Sequence, residues 1–275
     1  VDGFESPSSV YGVDTFIFVS NVGKALQPLS KDGDGFVAKL GKSGVLLNRF
    51  FIAGLDAPRG MACWDSVLYI ADLGKIKAFN WKTGDSLDVF DLGDFQVHFL
   101  KDLCKGDSGF IYASETLQNK LYRIDVKRRG AGPYVAVQSV PQSAAVKGIS
   151  ALWYDAPSRD LYIAGFGESD SANGAIGVIP YGPRAIPPRR WESHQGKIAG
   201  LCMVEGVVFF TDWNGFEQGQ ALYMLNLGTS EVTALPLGRI GGPSDFWYDQ
   251  QQNACWIPSM TEGKVYVIKN EGIKN

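Results

Sequence analysis

Several things are scarce in this 275-residue chain, and each scarcity removes a class of function. It has 2 histidines and 4 cysteines. No cysteines stand in a close Cys-x-x-Cys pair, so the spacing of a thiolate metal site is missing and no dense disulfide framework forms. Such sparse cysteine leaves the redox compartment open. No run of about 18 apolar residues is present, which excludes a membrane-spanning helix as the reading of any segment. Lys and Arg number 26 against 29 Asp and Glu, a net charge of -3. That balance gives no electrostatic footprint for nucleic acid. There is no phosphate-binding or dinucleotide glycine fingerprint and no G-x-S-x-G elbow. Ser193 beside His194 is adjacency, not a triad. Helix-period segments with caps are missing too.

What is abundant is glycine, at 33, and aromatic residues, with 7 Trp, 11 Tyr and 16 Phe. That mixture suits many short strands joined by tight turns. The first residue is Val1, not methionine, which reads as a segment removed upstream.

The main signal is a repeat. Six apolar segments end alike: Phe16–Asn21, Leu68–Asp72, Phe110–Ser114, Leu161–Gly165, Val208–Asp212 and Cys255–Ser259. Aligned on their last residues, they are spaced by 51, 42, 51, 47 and 47 residues, the length of a β-propeller blade. An apolar strand precedes each anchor, as in GMACW, DLCKG, GISALWY, AGLCMV and SDFWYD. A third strand follows, as in GFVAKL, KIKAFNW and KVYVIKN. Fourth strands are legible as VLLNRFFI, SLDVFDL, YVAVQSV and EVTALPL, with a weaker one near Arg189–Ser193. The expected fold is all-β: a six-bladed β-propeller with mostly four-stranded antiparallel blades, formed by residues 1–275 as a single domain. The sixth blade lacks an outer strand, and residues 1–4 are placed to supply it and close the ring.

Inner strands of a propeller crowd the axis, so residues at their starts converge on one mouth. Those positions hold Ser8, Arg59, Lys101, Lys147, Ala199 and Pro243. Three successive blades thus offer Arg59, Lys101 and Lys147, cations suited to a carboxylate, sugar acid or phosphate. Across the rim lie Asn21, Asp72, Glu115, Glu168 and Asp212. Glu5, Arg59, Lys101, Lys147, Asp72, Glu115 and Asp212 are the candidate ligand-binding residues. The alternative is that the cations pair with Asp72, Glu115 and Asp212 and only join neighbouring blades. Long loops over Ser20–Gly35, Gly165–Gly174 and Asp212–Gln220 crown the same end. The KDGDG stretch carries Asp32 and Asp34, a weak candidate calcium loop without the distal glutamate of an EF-hand. Trp64, Trp153, Trp247 and Tyr248 read as wedges between blades, and Cys63, Cys104 and Cys202 as small buried hydrophobes.

The repeat, clearest in GLDAPRGMACWDSVLYIAD, resembles the broad six-bladed superfamily of NHL-repeat, strictosidine-synthase-like and senescence-marker-protein/gluconolactonase proteins. The opening FESPSSVYGVDTFIFVS looks like the first-blade motif of the gluconolactonase group, whose glutamate holds a divalent metal at the channel mouth. The resemblance makes Glu5 its counterpart and implies that Glu5 turns into the channel. The remaining oxygen ligands of that group are replaced here by Lys147 and Ala199, and the polar pair before the third inner strand by Leu100 and Lys101. Ammonium and methyl groups do not ligate a metal, so no cofactor is expected, with a divalent cation near Glu5 as the weak alternative. Two classes of function follow. One is a binding propeller that recognises a small anionic compound or a protein partner at the loop-rich mouth. The other is a diverged lactonase-like hydrolase. The same resemblance implies export to the periplasm or cell exterior.

Overall fold

The computed structural model describes residues 1–127, 137–140, 145–168, 171–181, 187–215 and 219–269. Six antiparallel sheets surround one axis. Blade one holds β1 (Pro7–Val13), β2 (Phe16–Asn21), β3 (Gly35–Gly41) and β4 (Leu46–Leu55). Blade two holds β5 (Pro58–Trp64), β6 (Val67–Asp72), β7 (Lys75–Asn80) and β8 (Ser86–Asp91). Blade three holds β9 (Leu100–Lys105), β10 (Phe110–Glu115), β11 (Lys120–Asp125) and β12 (Val137–Val140). Blade four holds β13 (Ile149–Asp155), β14 (Asp160–Gly165), β15 (Gly174–Pro180) and β16 (Arg189–Gly196). Blade five holds β17 (Ile198–Val204), β18 (Val207–Asp212), β19 (Leu222–Asn226) and β20 (Val232–Leu235). Blade six holds β21 (Trp247–Asp249), β22 (Ala254–Ser259) and β23 (Lys264–Lys269). The all-β six-bladed propeller expected from the repeat is the fold observed. Part of the fourth-strand stretch YVAVQSV and of GPRAIPPRR lies outside the described residues.

Burial explains why the second strands carry the clearest signal. VLYIAD in β6 and ACWIPS in β22 are buried along their whole length, because a neighbouring blade covers each face. Continuous apolar runs are the pattern that two-sided burial demands. Outer strands face water and alternate, as SLDVFD does in β8. Apolar layers fill the wedges between blades. Between blades two and three, Tyr69, Ala71 and Ala78 pack with Leu103, Ile111 and Tyr122. The four cysteines are free and buried in these layers.

The ring closes through its first residues. The Val1 nitrogen donates to the Val265 carbonyl at 2.7 Å, and Val265 N–H donates back to Val1 at 2.8 Å. Asp2 pairs antiparallel with Lys264, and Phe4 N–H reaches the Gly263 carbonyl at 3.1 Å. Residues 1–4 therefore lie along β23 as an outer strand, so blade six is built from both ends of the described chain. Phe4 is buried with Val10, Val265 and Trp256, linking blades one and six. Truncating a buried phenylalanine costs about 3–5 kcal/mol, or roughly 6–20 °C in a domain of this size. Phe4→Ala is expected to lower the melting temperature by that amount in a thermal scan. A melt unchanged within 2 °C or so would show that this closure does not hold the ring.

Candidate ligand-binding site

Wherever the chain passes from one blade to the next, backbone N–H groups must find acceptors. In four blades the anchor of the repeat, or in blade three Glu115 beside the anchor Ser114, supplies them. Asn21 Oδ1 accepts from Glu5 N–H at 3.0 Å. Asp72 accepts from Asp56 and Ala57 N–H, the latter at 2.8 Å. Glu115 accepts from Phe99 and Gln118 N–H. Asp212 accepts from Lys197 and Asn214 N–H and from the His194 ring. Blade four differs: a Cβ at Gly165 would stand 2.1 Å from the Lys147 carbonyl oxygen. There the crossing backbone itself occupies the place of an anchor side chain, and only glycine fits.

One residue inside this cap, the ladder slips. Pro7, Pro58, Leu100, Ile149 and Ile198 each pair with the anchor position of the next strand, and a register shift follows in every case. Blade six repeats the geometry, since Pro243 pairs with Ser259 and Trp247 with Trp256. The inner strand thus carries one extra residue, a bulge that re-aims its side chain. The bulge positions are Ser8, Arg59, Lys101, Ser150, Ala199 and Ser244, all buried. Below this ring the inner strands nearly touch. A Cβ at Gly60 would meet Asp102 Cα at 2.4 Å, and one at Gly200 would meet Asp245 Cα at 2.9 Å, so glycine is required at both places.

Above the ring lies a concave cavity of about 290 Å³. Its floor is set by Arg59, Lys101, Ser150 and Ser244. Its walls are Leu26, Pro28, Phe99, Phe166, Trp213 and Met260, with Thr116 between them. Among the described residues no acidic side chain lines it. Leu26 and Pro28 come from the long loop of blade one, and Phe166 and Trp213 from those of blades four and five. Phe166 meets Trp213 edge to face, 5.9 Å between centroids.

Arg59 is 3 % exposed and Lys101 7 %. The Arg59 guanidinium lies 4.5 Å from the Phe99 ring centre. One of its terminal N–H groups reaches the Pro28 carbonyl at 3.4 Å. Among the described residues its Nε has no hydrogen-bond partner. Lys101 Nζ donates to Ser244 Oγ at 3.2 Å. Neither cation makes a direct ion pair among the described residues. Burial lowers the Arg59 pKa to about 10, opposed by the charge of Asp72. It lowers Lys101 to about 8, aided by Arg59 and opposed by Asp245 and Asp102. Those two carboxylates form the next layer down, lining a second cavity at the far side of the plug with Tyr11, Trp153 and Trp247. Asp102 accepts from Leu103 and Leu152 N–H, and Asp245 from Ser9 Oγ at 2.5 Å. Burial raises Asp245 to about 6 and Asp102 above the ordinary carboxylate range.

Of the residues expected at the mouth, Arg59 and Lys101 are the two brought together in the cavity. Lys147 stands on the rim, its side chain 44 % exposed and bonded to Glu168 at 2.8 Å. Its expected place in the ring is taken by Ser150, three residues on. Pro243 likewise yields to Ser244. Asp72, Glu115 and Asp212 do not line the cavity; they cap backbone, and Asp72 also holds Lys77 at 2.6 Å. Glu5 does not turn into the channel: its carboxylate pairs with Arg49 at 2.8 Å. Among the described residues, no three His, Cys, Asp or Glu side chains cluster to hold a metal. Asp32 is bonded to Ser30, and Asp34 caps Lys24 N–H. Phe216, in the WNGF stretch, lies outside the described residues.

The aromatic wall was missed by reading charges alone. A positional signal does exist: the residue after the anchor is Val22, Leu73, Phe166, Trp213 or Met260, and in blade three Thr116 stands two residues after the anchor Ser114. The last four line the cavity. Val22 and Leu73 pack with Met260 and Trp213 beside it.

No family model matches this chain, and no curated protein matches it. Solved structures share the fold. Hydrazine synthase of Kuenenia stuttgartiensis aligns with a TM-score of 0.67 at 13% identity, over 97% of this chain and 78% of that one. The β-propeller domain of Myceliophteria thermophila Cps50 (Swd1) gives 0.65 at 10%, over 98% of both chains. An auxiliary nutrient binding protein from Bacteroides thetaiotaomicron gives 0.69 at 10%, over 98% of this chain and 70% of that one. At such identities the likeness is one of propeller architecture. Among the described residues no helix is long and apolar enough to cross a membrane.

The capping and rim roles make opposite forecasts for mutation. Asp72→Ala removes a buried acceptor and leaves Lys77 unpaired, costing about 3 kcal/mol or more. The melting temperature is expected to fall by roughly 6 °C or more. Lys147→Met removes one exposed ion pair worth about 1 kcal/mol or less, and should leave the melt nearly unchanged. Equal effects from the two substitutions would contradict these assignments.

Proposed function

We propose that this protein is a binding propeller that takes up a small organic anion in the cavity above Arg59 and Lys101. One observation carries the reading: two buried cations line an apolar cavity without a direct ion pair, and one keeps an unpartnered N–H. Burying such groups is unfavourable unless their hydrogen bonds are completed. An anion would complete them. Asp102 and Asp245 balance the two positive charges from the layer beneath, but they line the other side of the plug. The Phe99 ring lies against the guanidinium and contributes a cation–π contact that helps hold it in place.

Calorimetric titration of small carboxylates against the full chain tests this. A charge-assisted hydrogen bond is worth about 1.5–3 kcal/mol, so Lys101→Met and Arg59→Met should each weaken binding by about tenfold or more. Lys147→Met should leave it unaltered. If no carboxylate binds, and Lys101→Met changes only the melting temperature, the cations serve blade packing and the reading fails.

The pH dependence has a definite sign. Lys101, with its pKa near 8, is charged at pH 7 and largely neutral at pH 9. Anion affinity should therefore fall by about tenfold between those values. Binding near pH 8 should draw in a proton, seen as a calorimetric enthalpy that varies with buffer ionisation heat. Lys101→Met should abolish both effects. Affinity that is flat from pH 7 to 9 in the unsubstituted protein would show that Lys101 does not contact the ligand.

A further inference from the structure

Resting on that reading of the site, we infer that the ligand is a hydrophobic monocarboxylate of about the size of 3-phenylpropanoate, bound carboxylate inward, and that α-amino acids are rejected. Donor supply sets the charge. Ser150 Oγ is committed to the Ala164 and Ile198 carbonyls, and Thr116 Oγ1 to Ile149. The donors left on the floor are the free N–H groups of Arg59 and Lys101, with the hydroxyl of Ser244, which accepts from Lys101. They suffice for the two oxygens of one carboxylate. A phosphate brings more oxygens and a second charge, and those that do not meet the floor would face the carbon walls. Arg59 and Lys101 are the two cations in the described lining, and the second charge of a dianion would be held against apolar walls in a poorly solvated place.

The walls set the rest of the molecule. Leu26, Pro28, Phe99, Phe166, Trp213 and Met260 present carbon almost everywhere above the floor. The cavity's 290 Å³ is about twice the roughly 150 Å³ of an apolar cavity that accepts benzene. One phenyl ring on a short acid arm fits that volume, with the ring among the aromatic side chains. An α-ammonium group, carried next to the carboxylate, would sit beside Arg59 and Lys101 with no acidic residue among the described lining residues to meet it. The repulsion is the specificity element.

The test is a ligand series on the unsubstituted full chain, read by calorimetry at pH 7: 3-phenylpropanoate, propanoate, L-phenylalanine, 3-phenylpropylamine and inorganic phosphate. Burial of the phenyl ring should make 3-phenylpropanoate roughly 50-fold tighter than propanoate. L-Phenylalanine, phenylpropylamine and phosphate should be at least about tenfold weaker than 3-phenylpropanoate. Trp213→Ala should weaken 3-phenylpropanoate while leaving propanoate unaltered; the series itself needs no variant, should that protein fold poorly. If phosphate or propanoate binds as well as 3-phenylpropanoate and depends on Arg59, the anion site stands and the hydrophobic monocarboxylate assignment is wrong. Binding of L-phenylalanine equal to that of 3-phenylpropanoate overturns the exclusion of amino acids. Silence from every anion overturns both this inference and the function it rests on.

Discussion

Backbone N–H groups at the six blade crossings have to be satisfied close to the axis, where water has little room. In four blades a side chain at the end of the second strand does this, through Asn21, Asp72, Glu115 and Asp212; in the sixth, Ser259 Oγ donates to the Gly241 carbonyl and Glu262 accepts from Gly241 N–H. In the fourth the crossing backbone packs directly against Gly165. Because the crossing is pinned, the inner strand starts at a fixed height, and its extra residue falls at the same height in every blade. A ring of six side chains results, from six positions far apart in the chain. Five of the rim's acidic or amide groups are thereby explained by structure or by pairing at the edge. Arg59 and Lys101 are not consumed in this way.

Holding two cations at the narrow point of a propeller is unfavourable by itself. The molecule offsets the charge in layers. Aromatic faces lie at the cation level, with Phe99 against Arg59, and carboxylates lie in the layer below, where Asp102 and Asp245 feel Lys101. This spreads charge along the axis without closing an ion pair. The cations face the loop-rich mouth and the carboxylates the other. Such a plug is polar along the channel, and it gives the apolar cup above it a single charged end.

The fold was legible because two-sided burial writes itself into the second strands as unbroken apolar runs, and because the anchors recur at blade length. The site was legible only in part. Arg59 and Lys101 stood out as cations before apolar strands, and the loops that carry Leu26, Phe166 and Trp213 stood out by length. Lys147 falls three residues short of the bulge position, which Ser150 takes, and Gly148 between them has a φ of 62°. A bulge adds a residue without changing composition, so counting back from an apolar run does not reveal it. Glu5 fitted a motif, yet motif position does not fix side-chain direction: its backbone follows Asn21 while its carboxylate follows Arg49 on β4. The anchors Asp72, Glu115 and Asp212 looked like site residues for the reason that makes them structural, which is that they recur at the mouth. Function sits in what departs from the repeat.

The central claim is that Lys101 is a buried, ligand-accessible ammonium held without a direct ion pair. Its titration reports on this most directly, through the 13Cε chemical shift of Lys101 followed by NMR from pH 6 to 11, with and without saturating 3-phenylpropanoate. The account predicts a midpoint near 8 in the free protein, moved up by about one unit or more once a carboxylate lies against the ammonium. A midpoint at the ordinary lysine value, about 10.4, and indifferent to the carboxylate, would contradict it.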